Sequence, residues 1–179
     1  MMTEIANTIE KKRFGISENL QTILYATVSF CVPFLLGHPQ LIVGIVVNAA
    51  LVMAALNVRS VKVIPVIIFP SLGVLSRGLI FGGFTPFLIY IIPFIWIGNA
   101  IYVTSFKFLP TNRWLLLFIG AIAKSGFLFG SAYLLVRGDV LPEIFLKAMG
   151  LYQLYTALIG GALAITLNKI IKLNSASKY

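Results

Sequence analysis

Six long apolar runs, each closed by charged or helix-breaking residues, set the plan of this 179-residue chain. They cover about Leu20–Leu36, Gln40–Leu56, Val61–Leu75, Pro86–Phe106, Trp114–Val136 and Pro142–Ile171. Runs near ~20 residues match a hydrocarbon core of ~30 Å at the rise of an α-helix, so each predicts a transmembrane helix. Gly37-His38-Pro39 ends the first run. The third is short and carries Pro65 and Pro70, which predicts a kinked or tilted segment. The stretch Arg77–Phe84 (RGLIFGGF) is apolar and Gly-rich, as a re-entrant or surface-lying segment would be. The expected fold is all-α: a polytopic integral membrane protein with one bundle of six transmembrane helices over residues 18–172. A leader at 1–17 precedes it and a tail at 173–179 follows. The leader is polar and mildly amphipathic, without the short apolar core of a signal peptide, and ends near the basic anchor Lys11-Lys12-Arg13.

Composition agrees with that class, at 59% hydrophobic and 11% charged residues. A net charge of +9 would suggest nucleic acid in a soluble protein. Here the positive-inside rule accounts for it, and no nucleic-acid partner is expected. With the N-terminus inside, the inner segments hold Lys11, Lys12, Arg13, Arg59, Lys62, Lys107, Arg113, Lys169, Lys172 and Lys178, while the outer ones hold Arg77 and Arg137. That asymmetry predicts an even number of spans, both termini in the cytoplasm, and residence in the cell membrane. One cysteine, Cys31, rules out an internal disulfide or a cysteine-held iron–sulfur cluster, and one histidine, His38, rules out a His-rich metal site. No cofactor or metal is expected.

Polar residues inside the runs are the candidates for function. Lys124 stands in mid-span five, and all five carboxylates (Glu4, Glu10, Glu18, Asp139, Glu143) lie outside or at the edges of the runs. An ammonium at bilayer depth costs at least ~2.5–3.5 kcal/mol, so it normally faces a cavity or a partner. With no acidic side chain to pair it, carbonyls, water or a bound anion remain. Asn48 in span two, Asn99 in span four, and Gln153 and Thr156 in span six should also face the interior, where interhelical hydrogen bonding and solute contact are both open. Asn48, Asn99, Lys124 and Gln153 form the predicted solute site. His38 and Arg77 are candidates for its mouth, with a turn residue and a headgroup anchor as their plainer readings. Tyr152 and Tyr155 offer stacking surface beside Gln153. Ala50 and Ala54, and Ala157, Gly160, Gly161 and Ala164, have the spacing of close helix contacts, within the chain or with another subunit.

Nothing in the chain supplies an engine. It has no P-loop sequence, no HExxH or GxSxG, and no intramembrane Asp or Glu for a proton relay or sodium site. A binding site without a motor suggests a passive subunit driven by other proteins, and not an enzyme.

Several strings sharpen this: His38-Pro39-Gln40, Gly44-Ile45-Val46-Val47-Asn48-Ala49, Phe69-Pro70-Ser71-Leu72, Pro93-Phe94-Ile95-Trp96-Ile97-Gly98-Asn99-Ala100, and Gln153-Leu154-Tyr155-Thr156-Ala157-Leu158-Ile159-Gly160-Gly161. In order and spacing they resemble the substrate-binding (S) components of energy-coupling factor transporters. The resemblance implies a six-helix protein that captures a vitamin-like solute from outside. It also implies docking on a transmembrane coupling subunit driven by two ATPase subunits, and toppling to release the cargo. S components commonly carry an AxxxA pattern in the first helix; here Ala26 is followed four residues later by Phe30, and the Ala50–Ala54 pair with that spacing is in span two. The alternative is a non-transporting structural subunit or assembly factor of a larger membrane complex. A membrane enzyme acting on a lipid or prenyl diphosphate would lack the carboxylates to hold Mg²⁺.

Overall fold

The computed structural model describes residues 17–36, 38–59, 61–78, 86–109 and 111–176. The proposed leader up to residue 16, the Gly-rich stretch from 79 to 85 and Lys178 lie outside the described residues. Within them the chain is helical: α1 (Glu18–Leu36), α2 (Gln40–Asn57), α3 (Ile64–Arg77), α4 (Leu88–Phe108), α5 (Arg113–Arg137), α6 (Ile144–Met149) and α7 (Leu151–Ala176). A 3-10 turn at Val61–Val63 leads into α3.

Five segments are long and apolar enough to cross a membrane: α1, α2, α4, α5, and the stretch Ile144–Asn174 that contains α6 and most of α7. The third apolar run falls short. Fourteen residues of α3 span only about 21 Å at helical rise. Pro65 stands in its first turn, where the missing N–H is harmless, and Pro70 lies in its interior. Gly78 ends the helix in the left-handed region at φ 72° and returns its N–H to the Val74 carbonyl.

The sixth run is two helices. At Gly150 the backbone leaves helical geometry (φ −96°, ψ −96°), so α6 stops at Met149 and α7 starts anew at Leu151. Its far end continues to Ala176, five residues beyond Ile171.

Successive long helices run antiparallel, and this gathers charge at one end. Glu18 at the start of α1 accepts from the Arg59 amide (2.6 Å) and the Lys62 ammonium (3.0 Å) after α2. Lys107 at the end of α4 donates to the Val58 carbonyl. At the start of α5, Asn112 accepts the Trp114 N–H at 2.9 Å and caps the helix. The opposite end carries Arg77, Arg137 and Asp139.

Helix α2 is the centre of the bundle and packs on α1, α4 and α7. Its contact with α7 is backbone-close. A Cβ on Gly160 would lie 2.3 Å from the Ile45 carbonyl oxygen and 3.0 Å from the Asn48 Cβ, so only glycine permits this crossing. Ala54, Ala157 and Ala164 are fully buried beside it. The small-residue faces of α2 and α7 therefore serve packing within the chain. Two apolar clusters result. One fills the basic half around Leu51, Val52, Val66, Tyr102 and Leu117. The other joins α4, α5 and α6 around Ile91, Leu128 and Phe145. Large apolar side chains on the outward faces, such as Ile23, Ile122 and Leu167, stay exposed, as lipid contact requires.

Candidate functional site

Between those clusters lies a cavity with about 100 Å³ of solvent-sized space. Asn48, Asn99, Lys124 and Gln153 all line it, contributed by α2, α4, α5 and α7. The four side chains are up to 105 residues apart in sequence (48 to 153) and share one wall space. Each helix brings its polar residue because that residue interrupts an otherwise apolar face, and the bundle turns it inward.

The ammonium is the chemical centre. Lys124 is 1% exposed, and its Nζ donates to Asn48 Oδ1 at 2.6 Å. Asn48 Nδ2 in turn donates to the Gly44 carbonyl (2.9 Å) and to Thr156 Oγ1 (3.1 Å). Those two bonds fix the amide so that its oxygen faces the ammonium. Thr156 passes its own proton to the Tyr152 carbonyl at 2.7 Å. On another side the ammonium stands 5.4 Å from the centre of the Tyr102 ring, within cation–π range, and the Tyr102 hydroxyl is pinned by the Ala157 carbonyl at 2.7 Å.

Every one of these partners is neutral. Among the described residues no carboxylate reaches Lys124; the ion pairs there are Arg59–Glu18 and Lys62–Glu18 at the basic end. An ammonium has three N–H donors, and Asn48 takes one. The arrangement supplies positive potential and spare donors at a cavity wall, which suits an anionic oxygen.

Asn99 sits on the far side of the cavity and donates to the Ile67 carbonyl at 3.0 Å. That carbonyl belongs to the turn of α3 disturbed by Pro70, and both Pro70 and Pro33 of α1 line the cavity. Ser71, on the same turn, accepts from Trp96 Nε1 at 2.8 Å and lines the wall as well. The remaining surface is aliphatic, from Val43, Val47, Val74, Leu88, Ile92, Ile95 and Met149, with no aromatic ring among the described lining residues.

The two residues read as mouth candidates are not in the lining. His38 is exposed in the turn between α1 and α2. Arg77 reaches across to α1, where its guanidinium donates to the carbonyls of Phe34 (2.7 Å) and Leu35. It satisfies carbonyls that a helix end leaves open and places a cation at the negative end of α1. Arg77→Ala is therefore expected to cost about 1 kcal/mol of stability, read by thermal melting in detergent, with solute affinity unchanged. A selective loss of affinity would return Arg77 to the mouth. Tyr152 and Tyr155 do not line the cavity either; Tyr155 is exposed, and the Tyr152 ring lies 5.4 Å from the Lys147 ammonium.

Ser71, Gln40 and the two prolines are lining residues that the pattern of polar positions did not single out. Gln40, Pro70 and Ser71 fall within strings that carry the family resemblance, and proline within an apolar run marks a place where backbone carbonyls need other partners.

No protein-family model, curated protein or solved structure matches this chain.

Proposed function

We propose that this protein is the membrane-embedded substrate-binding subunit of an energy-coupling-factor-type uptake transporter, and that it captures a small anionic solute from the outer face of the cell membrane. The observation that carries this reading is Lys124: a buried ammonium with neutral protein partners, on the wall of a cavity that also presents Asn48, Asn99 and Gln153. A purely structural residue at that depth would be better served by a carboxylate or by no charge.

The position of the cavity supports the outward-facing reading. Its lining comes from the C-terminal halves of α1 and α3 and the N-terminal parts of α2, α4 and α7, with Lys124 at mid-helix. That half lies away from Arg59, Lys62, Lys107, Arg113, Lys169 and Lys172, the end that the positive-inside rule assigns to the cytoplasm. In this reading α3 with its 3-10 turn completes six crossings, and both termini are cytoplasmic. A coupling subunit and two ATPase subunits would drive release, since the sequence holds no P-loop.

The test is native mass spectrometry of gently purified protein, with denatured extracts searched for co-purified small molecules. A stoichiometric acidic metabolite in the wild type, absent from Lys124→Ala, is the expected result. Wild-type-like retention in Lys124→Ala would remove the assignment. The second reading, a structural subunit or assembly factor, draws on the fact that Lys124, Asn48 and Thr156 are bonded to one another. It predicts that no solute co-purifies and that a panel of vitamins and organic acids leaves the melting temperature unmoved.

A further inference from the structure

A second, separate pocket lies at the basic end. The C-terminal ends of α2 and α4 and the start of α5 enclose an open pocket with about 520 Å³ of solvent-sized space. Arg59, Lys107 and Arg113 line it together with Thr111, and no Asp or Glu is among the lining residues. The acid at this end among the described residues is Glu18, and it is committed to Arg59 (3.5 Å) and Lys62 (3.0 Å). Lys107 donates to the Val58 carbonyl and forms no ion pair among the described residues. Arg113 forms no ion pair among the described residues. It also opens α5, whose first turn carries no acid, so a cation stands where the helix dipole is already positive. Lys169 and Lys172 approach the other side of Arg113.

Beyond the Arg59–Glu18 pair, Lys107 and Arg113 bring two cations to a pocket that has no acid among its described lining residues, a setting that suits an anion. The surroundings specify what kind. One wall of the pocket is apolar and exposed: Phe108 is 67% exposed and Leu109 46%, with Trp114 at 48% and Leu115 at 50% just beyond. An aromatic ring at the junction of a basic pocket and an apolar flank is the arrangement of a membrane interface. A free phosphate would use the cations and leave this flank unused. We infer that the pocket between α2, α4 and α5 binds the headgroup of an anionic phospholipid, its phosphate held by Arg113 and Lys107 and its acyl chains laid along Phe108, Leu109 and Trp114. Arginine suits the role because its planar fork donates two bonds to one phosphate. The inference depends on membrane embedding alone and is independent of any solute bound near Lys124.

The experiment uses the full chain in nanodiscs of phosphatidylcholine alone or of equal parts phosphatidylcholine and phosphatidylglycerol, followed by native mass spectrometry after release. Wild type is expected to retain one phosphatidylglycerol in preference to phosphatidylcholine. Arg113→Gln should lower that retention by about tenfold, whereas Arg137→Gln, at the other end of the same helix, should leave it unchanged. Arg113→Lys, which keeps the charge without the fork, should fall between. Equal losses in the Arg113 and Arg137 variants would reduce the effect to diffuse charge and overturn the site. Protection against heat by inorganic phosphate in phosphatidylcholine discs, equal to that given by phosphatidylglycerol, would overturn the lipid as its occupant.

Discussion

Lys124→Met is expected to weaken capture of an acidic solute by roughly ten- to a hundredfold while leaving the solute-free protein as stable as the wild type or more so. The two halves of that result have different causes. Binding falls because the charge-assisted bond to the solute is lost and no other described lining residue is cationic: the other polar lining groups are Gln40, Asn48, Ser71, Asn99 and Gln153. Stability holds because methionine fills nearly the same linear volume without a charge. The loss of the 2.6 Å bond leaves Asn48 Oδ1 without its donor, at a cost of about 1–3 kcal/mol. Against that stands the effective penalty of several kcal/mol for burying an ammonium among neutral partners. The second term is the larger, so the residue is costly to the fold and is explained by what it binds. Isothermal titration with the solute identified by mass spectrometry, set beside melting curves of both proteins, reads the two effects separately. A variant that melts far below the wild type yet keeps its affinity would make Lys124 a packing residue.

The sequence made that residue visible because polarity at depth is rare. Lys124, Asn48, Asn99 and Gln153 each break an apolar run, and a helix in lipid has little choice but to turn such groups inward. Ser71 gave no such signal. Its hydroxyl bonds to the Ile68 carbonyl of its own helix at 3.2 Å, so a serine at that position is compatible with any facing direction. Arg77 was visible as a charge near a helix end but not as a cap, because the carbonyls it satisfies belong to α1, some 42 residues earlier. That pairing depends on how α1 and α3 meet, which no local pattern encodes. The break at Gly150 was hidden for another reason. Met149 and Leu151 continue the apolar run on both sides, so hydropathy reads one helix where the backbone makes two. The third run was visible in the sequence as a short, proline-bearing span, and its helix is fourteen residues long.

Glycines on two helices should respond in opposite ways to the same added methyl group. Gly160→Ala is expected to destabilise the protein by about 1–3 kcal/mol or more and to impair solute binding, whereas Gly126→Ala should be neutral or mildly stabilising. At Gly160 the new Cβ would meet the Ile45 carbonyl oxygen at 2.3 Å and the Ala49 amide nitrogen at 3.0 Å. Both are backbone atoms, so no side chain can rotate away and α2 must separate from α7. That separation acts on the cavity, because Asn48 on α2 reaches Thr156 on α7 through a 3.1 Å bond. Stretching it frees the Asn48 amide and with it the alignment of Lys124. Gly126, two residues from Lys124 on α5, has no atom within 4 Å of the position its Cβ would take, apart from its chain neighbours and the backbone of its own helix. There the methyl group enters open space and gains up to about 1 kcal/mol of helix propensity. Melting temperature and solute affinity measured on both variants separate proximity along the chain from proximity through the fold. If Gly126→Ala lost affinity and Gly160→Ala kept it, the α2–α7 crossing would not be what positions the site. The expected order places control of the ammonium in a glycine thirty-six residues away, at a crossing where two backbones touch.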